Sequence, residues 1–248
     1  MTGELGRPSA AKRIYIGVSI IAAIAAVLMW RGQPVEASTY AYSYTWGDDR
    51  APEGKAIEIP VPANATGLTL AASGECKWLK AALAGTFAPA VVRTSLAAPP
   101  AMAPGRYSCT LTVSGAPAVV AFAVVTLNVA PMAFFSTAVS GGGGVLFENL
   151  PGSNNLFGYF FYLGSNNVIY HSDLGYESIK AANDGSDGIY MYDFKSGHWW
   201  YTNPGSFPFM NDDTLKTWIY YLPAADPGHY STNPRNFKNM KTGKTFTM

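Results

Sequence analysis

After Trp30, no segment of the chain keeps its apolar residues at the 3.6-residue period of an amphipathic helix. Short apolar stretches are instead interrupted by 25 glycines and 17 prolines, which favour turns. The 15 Tyr, 13 Phe and 6 Trp residues belong to types that are enriched in strands. These patterns predict a mainly β protein.

Composition and charge exclude two classes of protein. The 248 residues suffice for one large or two ordinary domains, and 17 Lys and Arg against 16 Asp and Glu give a net charge of +1. Near-neutral charge with no basic block argues against a nucleic-acid partner. Because 48% of the residues are hydrophobic and only 13% are charged, the chain is not expected to be disordered.

Residues 1–37 are predicted to be a signal peptide or a signal anchor. Ile14 to Trp30 is an uncharged run that would form a hydrophobic helix of about 25 Å, near the lower limit for crossing a bilayer. Basic residues precede the run, which favours export of everything after it. Two outcomes stay open: cleavage near Ala37 would release a secreted protein, and retention of residues 14–30 would anchor it in the membrane, facing the periplasm or the extracellular space.

Residues 38–130 are predicted to form a β-sandwich. Between Tyr107 and Val113 the odd-numbered residues share one face, as in a half-buried strand. Val119 to Val129 is an apolar, β-branched run suited to a central strand. The Ala-rich stretch from Leu79 to Leu83 is expected to form a short helical turn at most.

The two cysteines are predicted to form a disulfide. Cys76 shares a face with Trp78, and Cys109 shares a face with Leu111, so both thiols point to an apolar interior if each segment is a strand. Export favours the oxidised pair. Two separate buried free thiols are the alternative.

Residues 45–130 resemble bacterial Ig-like domains of the BACON type. The resemblance depends on Trp78-Leu79, on Pro104-Gly105-Arg106-Tyr107 before a strand, and on the closing Val125-Thr126-Leu127-Asn128-Val129. It implies a sandwich of seven or eight strands that acts as a spacer or binding module, usually without catalysis.

Residues 131–156 are predicted to be a Gly-rich linker, since Gly141 to Gly144 give the backbone maximal freedom. Their apolar flanks leave open that the segment packs against a domain.

Residues 157–248 contain a weak internal repeat. Each copy is a short aromatic strand, a polar turn and a second aromatic strand, which is typical of antiparallel β-hairpins. The four copies are 168–176, 189–200, 207–220 and 234–246. This predicts an aromatic hairpin-repeat module, a meander held together by cross-strand pairs of aromatic side chains.

The same half resembles a C-terminal tail of exported proteins of environmental bacteria. The matching positions are Trp199-Trp200, Phe207-Pro208, 218–221, Pro234-Arg235-Asn236-Phe237 and Thr242-Gly243. The resemblance implies a surface-associated accessory module.

No catalytic or metal-binding pattern stands out. The three histidines, His171, His198 and His229, have no HxH or HxxxH spacing and are expected to face solvent. Most of the acidic residues of the repeats lie at predicted turns, where Asp bonds its own backbone: Asp173, Glu177, Asp193, Asp212 and Asp213. We therefore expect no enzyme activity, no metal and no cofactor.

The candidate binding residues are aromatic side chains that could stack on sugar rings or dock a partner: Trp199, Trp200, Tyr201, Trp218, Tyr220 and Tyr221. Because neighbours on a strand face opposite sides, at most half of them can line one platform. The alternative is that they form the core.

These observations predict an exported, non-catalytic protein of the cell envelope or the secreted fraction, with a binding or structural display role toward a glycan or an envelope protein. A docking or assembly component of the envelope is the alternative, and a carbohydrate-active hydrolase is the less favoured one.

Overall fold

The computed structural model describes residues 38–48, 50–97, 102–150, 156–164 and 167–248. Within these ranges the chain forms eighteen strands and one short 3-10 helix, so the prediction of a mainly β protein is confirmed. The predicted hydrophobic helix and the cleavage site lie outside the described residues. None of the described residues belongs to a helix that is long and apolar enough to cross a membrane.

The first seven strands form two sheets. The strands are β1 (Ser38–Thr45), β2 (Lys55–Ile59), β3 (Thr66–Gly74), β4 (Leu79–Leu83), β5 (Ala90–Leu96), β6 (Gly105–Ala116) and β7 (Val119–Ala130). One sheet has the order β1-β7-β6-β3 and the other the order β2-β5-β4. All neighbours are antiparallel except β1 and β7, which run parallel.

Alternating apolar side chains hold the two sheets together. Cys109, Leu111 and Val113 are fully buried on one face of β6, as their spacing predicts. The Tyr42 hydroxyl of β1 lies 2.7 Å from Oγ1 of Thr94 on β5, which links one sheet to the other. The region is therefore sandwich-like.

The predicted disulfide is confirmed, with an S–S bond of 2.05 Å between Cys76 and Cys109. Cys109 is buried within β6, whereas Cys76 is half-buried in the turn before β4. The stretch expected to be helical, Leu79–Leu83, is β4, because its backbone pairs with β5 along its whole length.

Of the segment predicted as a linker, 131–156, residues 131–150 form secondary structure and pack against the core. A 3-10 helix, Ala133–Phe135, buries Phe134 and Phe135, and a hairpin follows from β8 (Val139–Gly142) and β9 (Val145–Asn149). Gly143 and Gly144 form the turn of this hairpin, and Gly141 and Gly142 end β8. The apolar flanks explain the difference, because their burial outweighs the freedom of the glycines.

An antiparallel meander of eleven strands forms the rest of the chain. After β8 and β9 come β10 (Leu156–Tyr162), β11 (Val168–His171), β12 (Gly175–Ala181), β13 (Ile189–Asp193), β14 (His198–Thr202), β15 (Phe209–Asp212), β16 (Thr217–Tyr221), β17 (Asn236–Asn239) and β18 (Thr245–Thr247). Each strand pairs with the next along the chain, from β8 to β18. This arrangement agrees with the predicted meander.

Four hairpins of the meander, formed by β11 to β18 in successive pairs, share one turn chemistry. The first strand of each ends in a side chain that accepts hydrogen bonds of 2.8–3.3 Å from backbone N–H groups two or three residues later. These side chains are His171, Asp193, Asp212 and Asn239. The fourth residue after each has a positive φ; these residues are Gly175, Gly197, Lys216 and Gly243. Side-chain acceptors and left-handed residues thus close these four turns in the same way.

The meander curls so that one face becomes a core. Arg235, just before β17, contacts Asp193 at the end of β13, although three strands separate them in the sheet. Likewise, the rings of Phe157 on β10 and Phe207 before β15 are 5.1 Å apart. The inward side chains include Ile179, Met191, Trp200, Ile219, Tyr221 and Phe237. The opposite face therefore remains on the surface.

Aromatic contacts join the sandwich to the meander. The ring centroids of Trp46, after β1, and Tyr162, on β10, are 4.5 Å apart. Phe135 contacts Phe157 and Phe160 at 5.4 and 4.9 Å. The 3-10 helix thus fills the junction between the two regions.

Candidate functional site

Five side chains form a continuous row on the outward face of the meander. In register order they are Lys180 on β12, Tyr190 on β13, Tyr201 on β14, Asn211 on β15 and Trp218 on β16. Each stands directly opposite the next on the neighbouring strand, and side chains in that position touch. The row therefore crosses five strands at right angles to them.

The rings of this row contact one another. The centroids of Tyr190 and Tyr201 are 5.4 Å apart with planes inclined at 54°, and those of Tyr201 and Trp218 are 6.4 Å apart at 77°. Trp199 lies in the adjacent row, 5.3 Å from Tyr192. Tyr190 and Trp199 remain more than 40% exposed, so part of each side chain is accessible to a ligand.

A groove runs over this row. Its volume is about 720 Å³. Its floor consists of the five row residues together with Trp199 and Asp213. Residues 182–184, in the connection between β12 and β13, form one wall. An open groove with aromatic floor and a few polar groups has the composition of a small-molecule or oligomer site.

The wall is fastened to the floor through Asp184. One carboxylate oxygen accepts a 2.6 Å hydrogen bond from the Tyr201 hydroxyl, and the other accepts bonds from the hydroxyl and backbone N–H of Ser186. Hydrogen bonds from Ser186 and Tyr201 lower the pKa of the Asp184 carboxyl to about 2. Asp184 is therefore ionised at every ordinary pH.

The other charges of the groove are few. Lys180 stands at one end of the row, and Asp213 on the floor forms an exposed ion pair of 2.6 Å with Lys216. No arginine lies among the residues that the structure assigns to the groove. The site is thus polar and aromatic, without a strongly positive field.

The six predicted binding residues divide between the two faces. Trp199, Tyr201 and Trp218 line the groove. Tyr220 also faces outward, but it belongs to the next row, where its ring is 4.6 Å from that of Phe209.

Trp200 and Tyr221 are core residues and offer no ring to a surface ligand. Both are fully buried. The indole N–H of Trp200 donates to Asp212 at 2.9 Å, and the Tyr221 hydroxyl donates to the carbonyl of Ser231 at 2.6 Å. Trp200 and Tyr221 are therefore not part of the candidate binding surface, because the alternation of side chains along a strand places them on the inward face.

Sequence reasoning missed seven of the groove residues, among them Lys180, Tyr190, Asn211 and Asp184. Strand register identifies Lys180, Tyr190 and Asn211, because each is the cross-strand partner of another residue of the row. The registers of successive hairpins would have identified them. No local pattern points to Asp184.

His171 does not face solvent, although the sequence predicted that all three histidines would. His171 is fully buried, and its Nδ1 accepts hydrogen bonds from the backbone N–H groups of Asp173 and Leu174, at 3.0 Å each. Nε2 therefore carries the proton and faces the carbonyl of Phe157 at 2.6 Å. Burial lowers the pKa of His171 to about 4, so this histidine is a neutral structural group.

A buried ion pair lies behind the groove's sheet. Arg235 donates to both carboxylate oxygens of Asp193, at 2.9 and 2.7 Å, and to the carbonyl of Leu174 at 2.8 Å. Burial by itself raises the pKa of Asp193, but the hydrogen bonds from Arg235 lower it below its usual value.

Glu177 is the cross-strand partner of Asp193, and its carboxyl oxygens are buried without a hydrogen-bond partner among the described residues. Burial, with the Asp193 charge adding to it, raises its pKa well above the usual value. A protonated Glu177 is therefore the state that fits this position.

The arrangement around Asp173 does not match a hydrolytic triad. Both the Ser172 hydroxyl and Nδ1 of His229 lie 3.1 Å from the same oxygen of Asp173. In a triad the histidine contacts the serine and takes its proton, whereas here the carboxylate lies between them. Across the described ranges, no group of three or more His, Cys, Asp and Glu could hold a metal ion.

Comparison with known proteins finds no match: no family model matches the chain, and no curated protein does.

Proposed function

We propose that the protein is an exported, non-catalytic glycan-binding protein and that the groove on the meander is its binding site. The observation that carries the proposal is the cross-strand row of exposed aromatic rings beside Asn211, Asp184 and Asp213. A sugar ring has apolar C–H faces that stack on aromatic rings, and hydroxyls that bond amides and carboxylates. The groove supplies both kinds of contact.

Each groove residue has a role in this proposal. Tyr190, Tyr201 and Trp218 stack on successive sugar faces. The Asn211 amide both donates to and accepts from hydroxyls, and the Asp184 carboxylate accepts from them. Asp193 and Asp212 take no part, since both are fully buried and close turns of their own hairpins.

The sandwich would then serve as a spacer. We propose that it is an Ig-like domain, because a sheet of three strands with the order β2-β5-β4 opposite the order β1-β7-β6-β3 follows the strand pairing of that fold. The segment 1–37 would export the chain and, if retained, hold it at the membrane. The groove would then be displayed by the meander.

The experiment is affinity electrophoresis of the full chain in gels that contain soluble polysaccharides, with a glycan array to extend the panel. Trp218→Ala and Tyr201→Ala should each abolish most of the retardation. Phe87→Ala is the matched control, since Phe87 is an exposed aromatic residue of the sandwich and should leave binding unchanged. Absence of binding to any glycan would end the proposal.

A docking role toward an envelope protein is the second candidate. It is favoured by exposed aromatic residues outside the groove, such as Tyr176 and Phe194, which are 55% and 53% exposed. Contiguous exposed aromatic surface marks sites of protein association. Double substitution of these two residues by Ser would abolish docking to an envelope partner but leave glycan binding intact.

A further inference from the structure

We propose that the groove takes a single soluble chain of a neutral glycan, which lies across the strands and contacts the protein over about four sugar units. This inference rests on the proposed glycan-binding function and specifies its ligand. It follows from three properties of the groove: the direction of the row, the inclination of its rings and its charge.

The row sets the direction and the length of the ligand. It passes from Lys180 on β12 to Trp218 on β16, and so crosses four gaps between neighbouring strands. At a strand spacing of about 4.8 Å the row spans roughly 19 Å. One strand spacing is close to the length of one pyranose unit in an extended chain. Successive sugars can therefore meet successive strands.

The inclination of the rings distinguishes a single chain from a crystalline surface. Neighbouring ring planes along the row meet at 54° and 77°. A flat crystalline face needs coplanar rings that touch it at the same time. A single chain in solution can rotate about its glycosidic bonds and place each sugar against a differently inclined ring.

The charge of the groove disfavours acidic glycans. Lys180 is the one cation among the described residues that line it, while Asp184 and Asp213 contribute carboxylates. The hydrogen bonds of Asp184 keep it ionised, as its pKa of about 2 indicates. An acidic chain with a carboxylate on each sugar would meet repulsion from Asp184 and no arginine to pair with.

Asp184 also gives the wall its orientation. Its bond to Tyr201 leaves the carboxylate beside the floor, where remaining lone pairs can accept hydrogen bonds from sugar hydroxyls. A hydrogen bond to a charged acceptor is stronger than one to a neutral acceptor. Asp184 is therefore the residue expected to select hydroxyl-rich neutral sugars.

The test is isothermal titration of the full chain with neutral β-1,4-linked gluco-, xylo- and manno-oligosaccharides, from disaccharide to hexasaccharide. Polygalacturonate is the acidic probe and microcrystalline cellulose the crystalline one. We expect affinity for at least one neutral series to rise up to about the tetrasaccharide and then level off, with binding to the other two probes at least about tenfold weaker. Tighter binding to either of those probes would overturn the inference.

Two substitutions test the assignment of residues. Trp218→Ala removes the ring at the end of the row, so affinity for the tetrasaccharide should fall about tenfold while the disaccharide is affected less. Asp184→Asn keeps the size of the side chain and removes its charge, so neutral binding should fall about tenfold and polygalacturonate binding should rise. An unchanged affinity in Asp184→Asn would overturn the role of the wall. Thermal midpoints equal to that of the parent chain show that the variants are folded. Unchanged binding in Phe87→Ala shows that loss of an exposed aromatic ring outside the groove has no effect.

The two levels of proposal fail in different ways. If no glycan binds, the proposed function itself is wrong. If the groove binds glycans but prefers acidic chains, crystalline surfaces or disaccharides, glycan binding stands and this inference is wrong.

Discussion

The sandwich and the meander both bury faces of β-sheets, but they do so with different side chains. The sandwich core is rich in aliphatic residues, and its only buried polar side chains among those the structure describes are Thr94 and Thr126. The meander core is richer in aromatic residues, which are about half of its buried hydrophobic side chains, and it includes polar and charged groups. Those groups are Glu148, His171, Asp173, Glu177, Asp193, Thr202, Asp212 and Arg235.

Strand length explains the difference. The longest sandwich strands, β6 and β7, have 12 residues each, whereas strands of the meander from β11 to β18 have three to seven. A short strand buries only two or three side chains, so each must be large, and an aromatic residue buries about 150–250 Å². Short strands also bring many turns, and turns need side chains that accept backbone hydrogen bonds. An aromatic core with buried acids is therefore the consequence of short hairpins.

The largest effect is expected from the buried ion pair of the meander. Arg235→Met leaves the Asp193 carboxylate buried and unpaired beside Glu177, so the free energy of unfolding should fall by about 3–5 kcal/mol. Denaturant unfolding monitored by tryptophan fluorescence measures this change. Asp213→Asn, which breaks the exposed pair with Lys216, is the matched control and should cost less than about 1 kcal/mol. Equal losses in the two variants would contradict a special role for buried charge in the meander.

The disulfide should matter in the sandwich alone. Replacing Cys76 and Cys109 by Ala opens a loop whose ends are 33 residues apart, which the chain-entropy model values at about 3–4 kcal/mol. Hydrogen exchange resolved by peptide should show the loss in the strands of the sandwich. Equal loss of protection in the meander would mean that the two regions unfold as one unit.

Acid should destabilise the meander through His171. Its pKa is about 4 in the folded protein against an ordinary 6.5, so the unfolded chain binds the extra proton between these values. Above pH 6.5 this proton does not affect the free energy of unfolding. As the pH falls from 6.5 toward 4, the free energy of unfolding should fall by about 3 kcal/mol in all.

The matched variant is His171→Asn, since Asn239 closes the equivalent turn of the last hairpin. This variant should lose much of the pH dependence in that window. The neighbours Asp173 and His229 are unchanged in it, so they serve as the internal control. A variant with the same acid profile as the parent chain would refute the assignment.

The smallest effect concerns Glu177, and it has the opposite sign. Burial raises its pKa, so the folded protein favours the protonated form, and this contribution is lost as the pH rises above the ordinary value of 4.5. Glu177→Gln mimics the protonated form and should stabilise the protein at pH 7 by on the order of 1 kcal/mol. The gain should disappear in unfolding curves measured below pH 4.5. A destabilised variant at pH 7 would show that the charge of Glu177 is used.

Local sequence patterns predicted much of this architecture because they report short-range physics. The alternation in β6 identified its buried face, and the acidic residues at the ends of hairpin strands marked turns that Asp193 and Asp212 do close. The expectation of a short helical turn at Leu79–Leu83 was wrong, because pairing with β5 overrides the helical propensity of this Ala-rich stretch. For the Gly-rich segment the sequence left packing against a domain open, and the structure buries Phe134 and Phe135.

Local sequence patterns predicted only part of the candidate site. Alternation requires that Trp199 and Trp200 face opposite sides of β14, but it does not say which side is the core. The curl of the meander decides this, because it brings Arg235 to Asp193 and encloses Trp200. The same curl buries His171 and Glu177, whose sequence contexts are those of solvent-facing residues.

The amino-acid sequence alone determined that the chain is built from strands and that aromatic hairpins repeat, since propensity and turn chemistry act over a few residues. It favoured a disulfide but left two free thiols as the alternative, and the structure pairs Cys76 with Cys109. Tertiary structure alone decided which rings face outward, which charges are buried and that Lys180, Tyr190, Tyr201, Asn211 and Trp218 stand in one row. The reason is that register and curl depend on contacts between segments far apart in the chain, and no local pattern encodes them.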